Sequence, residues 1–103
     1  MSDTLTRLAA TISARADADP DTSWTAKLLS KGPTKCAEKF GEEAIEAIIA
    51  AVRDDKDNLT AEAADVLYHL QVMLAASGVA WGDVLAELDR REGISGIDEK
   101  ASR

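Results

Sequence analysis

A chain of 103 residues has room for one domain, residues 1–103, with a core small enough that a partner subunit could complete it. Nineteen acidic residues against twelve basic ones give a formal net charge of −7, which excludes a general affinity for nucleic acid or anionic membranes. A single cysteine, Cys36, excludes an internal disulfide, no apolar run reaches the ~20 residues of a membrane span, and Met1 to Ala10 lacks the basic start and apolar block of a leader. These features read as a cytoplasmic protein.

Leu5, Leu8, Ile12 and Ala16 recur at helical spacing, so residues 3–16 are expected to form a first helix. Asp17-Ala18-Asp19-Pro20-Asp21 ends it, completing an N-terminal unit of helix and linker over 1–20. Ser23 to Leu29 reads as one or two helical turns. Gly32-Pro33 stops the chain and restarts it, with Pro33 suited to the first position of a helix. That helix should run to about Arg53, with Ala37, Phe40, Ala44, Ile48 and Val52 as an apolar stripe flanked by Ile45 and Ile49.

Asp54 to Asn58 reads as a polar turn. A further helix follows from about Leu59 to Ser77, lined by Leu59, Ala63, Val66, Leu67, Leu70, Met73 and Leu74 and stopped by Gly78. A last helix is expected over Trp81–Arg91, although Ala80-Trp81-Gly82 lacks the usual polar cap. The tail, 93–103, has no helical period. The fold class is therefore all-α: an antiparallel helical hairpin in a four-helix-type bundle, its wide stripes suited to completion by a second copy in a homodimer.

The hairpin carries two acid-x-x-acid pairs, Glu43/Glu46 and Glu62/Asp65, each within an apolar helical run. Positions three apart share a helix face. Glu46 and Glu62 each lie eight residues from position 54, at the turn, and Glu43 and Asp65 each lie eleven from it. In an antiparallel hairpin the pairs therefore meet at two levels about 4.5 Å apart. Four carboxylates would form a square, approached closely through Ala44, Ala47, Ala61, Ala63 and Ala64.

Two like charges ~5 Å apart repel by roughly 3 kcal/mol at an effective dielectric of ~20. A hard divalent cation removes that cost, and an all-oxygen ligand set favours Mg²⁺, with Mn²⁺ as the alternative. Two such ions would balance four carboxylates. The plainer alternative is a solvated acidic face with salt bridges along the helix, for example Lys39 to Glu43 and Lys35 to Glu38. It accounts for the first pair better than for the second, because Glu62 and Asp65 have no lysine or arginine three or four positions away.

Lys27, Lys31, Lys35 and Lys39 recur every fourth residue. Lys35 opposes the dipole of its own helix, a conflict that a bound anion would relieve. Lys27, Lys35, Lys100 and Arg103 are the candidate phosphate contacts. His69, one turn beyond Asp65, is placed to hydrogen-bond to that carboxylate and orient it, or simply to fill a helix face. Cys36, Trp24 and Trp81 read chiefly as packing, with the two indoles also able to stack on a base.

Several runs together resemble the phosphoribosyl-ATP pyrophosphatase family. They are Thr25-Ala26-Lys27-Leu28-Leu29, Gly32-Pro33-Thr34-Lys35-Cys36-Ala37-Glu38-Lys39, Gly41-Glu42-Glu43-Ala44-Ile45-Glu46, Glu62 to Leu70, and Glu99-Lys100-Ala101-Ser102-Arg103. The family belongs to the all-α nucleoside-triphosphate pyrophosphohydrolases related to MazG. The acidic pieces are shared across that superfamily; the Gly-Pro-x-Lys-Cys block, Tyr68-His69 and the C-terminal end point to this member. The resemblance implies the second step of histidine biosynthesis: Mg²⁺-dependent hydrolysis of phosphoribosyl-ATP to phosphoribosyl-AMP and pyrophosphate, in a dimeric enzyme. It implies Glu43, Glu46, Glu62 and Asp65 as metal ligands, with Glu42 beside them. Glu42, Glu43 and Glu46 are the expected catalytic acids, with Glu42 or Glu38 to position water. Two rival functions fit the same acids: a house-cleaning pyrophosphatase for non-standard nucleotides, and a non-catalytic helical interaction module.

Overall fold

The computed structural model describes residues 3–103, apart from the side chain of Glu99. Met1 and Ser2, where the reading of an absent leader begins, lie outside the described residues. The described residues form six helices and no strand: α1 (Thr4–Arg15), α2 (Trp24–Ser30), α3 (Pro33–Val52), α4 (Lys56–Ala76), α5 (Trp81–Arg91) and α6 (Gly96–Ser102).

Local chemistry sets the boundaries. Asp3 caps α1 by accepting from the Thr6 amide at 2.7 Å, and Ser23 caps α2 through Ala26. Gly32, at φ 88°, takes a left-handed conformation that suits glycine, and Pro33 then opens α3. The turn between the long helices is shorter than the polar run Asp54–Asn58 suggests. Asp55 accepts from the Asn58 amide at 3.2 Å, so α4 starts at Lys56 and absorbs the end of that run.

The tail is a correction to the sequence reading. Residues 96–102 are helical, capped by Ser95, whose hydroxyl accepts from the Asp98 amide at 3.1 Å. The helix shows no apolar period because it packs extensively on nothing: Ile97 remains 82% exposed. A cap, rather than a buried face, defines it.

At α5 the missing polar cap has structural expression. Ala80 sits at the cap position with extended backbone and offers no side-chain hydrogen bond. Its φ and ψ suit a serine. Ala80→Ser should therefore raise stability by about 1 kcal/mol, read as a higher midpoint in urea with an unchanged slope.

The long helices α3 and α4 pack on each other more extensively than any other pair, and α1, α2 and α5 gather around α4. The core is small: Ile12, Leu28, Cys36 and Val72, with Leu8, Leu29, Tyr68, Met73 and Ala76 packed against it. Cys36 is sealed there, its thiol donating to the Leu28 carbonyl at 3.2 Å, and burial pushes its pKa up. That supports a packing role over a nucleophilic one.

Much of the α3 stripe remains uncovered. Ile45, Ile48, Ile49 and Val52 are exposed, up to 81% at Val52. Their spacing places four large aliphatic side chains on one helix face. Among the described residues, no single helix is long and apolar enough to cross a membrane.

Candidate metal centre

The hairpin brings carboxylates of α3 and α4 together. Oxygen atoms of Glu43, Glu62 and Asp65 lie within 4.8 Å of one another. Glu46 adjoins them, its carboxyl acting on both Glu43 and Glu62. Of the small residues expected beneath the square, Ala44 and Ala47 of α3 are partly buried, whereas Ala61, Ala63 and Ala64 of α4 are exposed.

The electrostatics are those of crowded acids. Burial, then the Glu46 carboxyl, pushes the pKa of Glu43 above the ordinary value, and the charges of Asp65 and Glu62 add to the shift. Glu62 is raised by burial and by Glu46 in the same order, with Asp65 also contributing. Oε2 of Glu62 is buried with no hydrogen-bond partner. A desolvated carboxylate oxygen beside other acids is an unfavourable arrangement unless something cationic compensates it. Charge, hardness and spacing of these oxygens fit a divalent cation, and Glu43, Glu62 and Asp65, with Glu46 adjacent, are the residues that could hold it.

The neighbouring acids are neutralised by lysines of their own helix. Lys39 pairs with Glu42 at 3.0 Å rather than with Glu43, and Lys35 pairs with Glu38 at 3.3 Å. This sorts the acidic run: Glu38 and Glu42 form salt bridges along the helix, while Glu43 and Glu46 turn toward α4.

His69 is buried on α4, with Nδ1 lacking a hydrogen-bond partner. Burial, then the Lys39 charge, holds its pKa below the usual imidazole value, against the opposing pull of Asp65 and Glu42. It stands in the field of the acids as a neutral ring, and the adjacent Tyr68 ring meets it edge-on at 5.1 Å. Tyr68 also ties α2 to this region: its hydroxyl lies 2.6 Å from the Thr25 hydroxyl. The sequence reading did not assign that pair, although both residues fall in the runs that carry the family resemblance.

The candidate phosphate contacts are dispersed. Lys27 is exposed on α2, and the Lys35 ammonium is engaged by Glu38. Lys100 lies on α6 and Arg103 just beyond it, outside the set of helices that pack extensively on one another. An apolar cavity of about 710 Å³ lies elsewhere, between α1, the end of α4 and α5. Ile12, Leu29, Leu74, Trp81 and Leu85 help line it, and no charged side chain does. Nothing there would grip a polyphosphate.

An all-α hairpin that gathers acids between its facing helices defines a class: helical proteins whose facing carboxylates could hold a hard cation. The particular family follows from comparison. The family model described as Phosphoribosyl-ATP pyrophosphohydrolase matches residues 5–92. A phosphoribosyl-ATP pyrophosphatase of Dinoroseobacter shibae is 76% identical over 99 residues, covering 96% of this chain and 97% of its own. Proteins of the same name are 72% identical in Rhodobacter capsulatus, covering 96% of both chains, and 72% identical in Paracoccus denitrificans, covering 96% of this chain and 92% of the relative. The chain belongs to the phosphoribosyl-ATP pyrophosphohydrolase family.

Proposed function

We propose that this chain hydrolyses phosphoribosyl-ATP to phosphoribosyl-AMP and pyrophosphate, the second step of histidine biosynthesis, in the cytoplasm and as a homodimer. The single observation that carries the chemistry is the meeting of Glu43, Glu62 and Asp65 across the hairpin. The near-full-length identity to proteins named for this activity selects the substrate.

Glu43, Glu46, Glu62 and Asp65 would hold Mg²⁺, with Mn²⁺ able to substitute. Bound there, the ion would supply charge neutralisation for the polyphosphate and polarise a water molecule. The chain's own residues do the rest. Glu43 and Glu46 serve there as ligands, and the water would give up its proton to solvent as its oxygen bonds to phosphorus and the α–β anhydride bond breaks. Glu42 is tied to Lys39, which fits a positioning part more than proton transfer. Neutral His69, one turn beyond Asp65, adds no competing charge. Lys27 and Lys35 would approach the phosphates from the α2–α3 side, Lys35 by exchanging Glu38 for substrate. Lys100 and Arg103 would reach them by movement of α6.

The apolar face of α3 supports the homodimer, because Ile45, Ile48, Ile49 and Val52 form a continuous row for a second copy to cover. Incubation with phosphoribosyl-ATP and Mg²⁺, followed by phosphorus NMR of the products, tests the reading. It requires pyrophosphate together with phosphoribosyl-AMP. Inert phosphoribosyl-ATP alongside rapid hydrolysis of non-standard nucleoside triphosphates would replace it with the house-cleaning reading.

A further inference from the structure

The two tryptophans have different surroundings. Trp81 is half-buried against the apolar cavity, whereas Trp24, the first residue of α2, is 55% exposed. The side of α2 that packs inward is occupied by Ala26 and Leu28, both buried, with Thr25 and Leu29 partly buried. Trp24, Lys27 and Lys31 follow one another at three- and four-residue spacing and are all exposed. They share the outward face. An indole and two ammonium groups together offer a π surface beside cationic contacts.

The helix that carries this face is tied to the one that carries Glu62 and Asp65. Thr25, next to Trp24, is bonded to Tyr68 at 2.6 Å. Tyr68 lies one turn, about 4.5 Å of rise, beyond Asp65 on the same side of α4. The first turn of α2, which Trp24 opens, is thereby tied to the turn of α4 that follows Asp65. A substrate whose polyphosphate lies at the cluster must place its base to one side of it, and Trp24 is the only exposed tryptophan among the described residues.

We infer that the Trp24 indole stacks on the adenine ring of the substrate and acts as its base-binding residue, with Lys27 beside it against the phosphates. The inference rests on the proposed reading of the reaction, and it assigns Trp24 a binding function in place of the packing role its residue type suggests. Stacking stabilises a bound base through its π face and any purine can use it, so phosphates alone gain nothing from it.

The test compares wild type with Trp24→Ala and Trp24→Phe. For phosphoribosyl-ATP hydrolysis, Trp24→Ala should raise KM roughly 5- to 150-fold, the range for loss of one base–aromatic stack, with kcat little changed. Trp24→Phe should recover most of the loss. Inhibition constants supply a readout independent of that activity: ATP should inhibit Trp24→Ala far more weakly than wild type, while inorganic tripolyphosphate inhibits both equally. If phosphoribosyl-ATP is not a substrate of the wild type, the same comparison is made by direct binding of ATP and tripolyphosphate, so the reaction and the stacking fail separately. Equal weakening of ATP and tripolyphosphate would overturn the inference, as would a KM within twofold of wild type. Conversion of Trp24→Ala to a monomer by sedimentation, with no selective loss for ATP, would assign the indole to subunit contact instead.

Discussion

Asp65→Asn and Glu62→Gln should each lose at least ~100-fold in turnover while the metal-free protein becomes more stable. Loss of a preorganised electrostatic element at a reacting centre costs of the order of 10²–10³ in rate, equivalent to about 3–4 kcal/mol of barrier. The gain in stability has the opposite origin. Without a cation the clustered acids repel, and a neutral amide removes one of the charges. A residue whose removal impairs the reaction and relaxes the fold is a functional compromise rather than a structural support.

The same acids give the metal-free protein a characteristic pH response. Glu43 and Glu62 bind protons more tightly in the folded chain than in the unfolded one. Between the ordinary carboxylate pKa, about 4.3, and the raised folded values, the native state therefore carries more protons, and stability falls as pH rises. His69 acts in reverse: its folded pKa is depressed, so its contribution grows as pH rises toward about 6.5. Glu87, held near about 2 by Arg90 and Arg91, adds stability that is lost only at more acid pH. Comparison with Glu62→Gln separates these effects. Thermal melts of the metal-free proteins should show the advantage of Glu62→Gln growing from pH 4.5 to 7, and added Mg²⁺ should reverse it by stabilising wild type alone. An advantage that does not change with pH would mean that the acids are not strained.

Ile48→Asp should separate the subunits. Ile48 is 60% exposed in the single chain and lies in the middle of the uncovered α3 row. Burying an aliphatic side chain contributes about 1.5–3 kcal/mol, and a two-fold interface counts each substitution twice. The expected loss is roughly 3–6 kcal/mol, or about 10²–10⁴-fold in the dimer dissociation constant, before the cost of a buried carboxylate. Sedimentation at micromolar concentration should show wild-type dimers and variant monomers. A variant that remains dimeric would place the interface elsewhere.

The sequence made the hairpin and its acids legible for one reason: both are periodic. Equal distances from the turn bring Glu43 level with Asp65, and those two acids do meet, with Glu62. What the sequence did not reveal is how the lysines divide. Lys39 has several acids within reach by spacing, and only side-chain packing decides that Glu42 takes it. The stripe on α3 was visible too, but a stripe does not say whether it is covered by the same chain or by a second copy. Helix α6 was missed because a serine cap, not an apolar period, organises it. The tie between Thr25 and Tyr68 joins residues 43 positions apart, which local patterns cannot anticipate.

The central claim is that the hairpin acids bind a divalent cation. Electron paramagnetic resonance titration of Mn²⁺ into wild type, Glu62→Gln and Asp65→Asn tests it most directly, since bound Mn²⁺ loses the sharp signal of the free ion. Saturable binding by wild type, displaced by excess Mg²⁺ and strongly weakened in both variants, is the predicted result. Equal binding by all three proteins, or none by wild type even with phosphoribosyl-ATP present, would contradict the account.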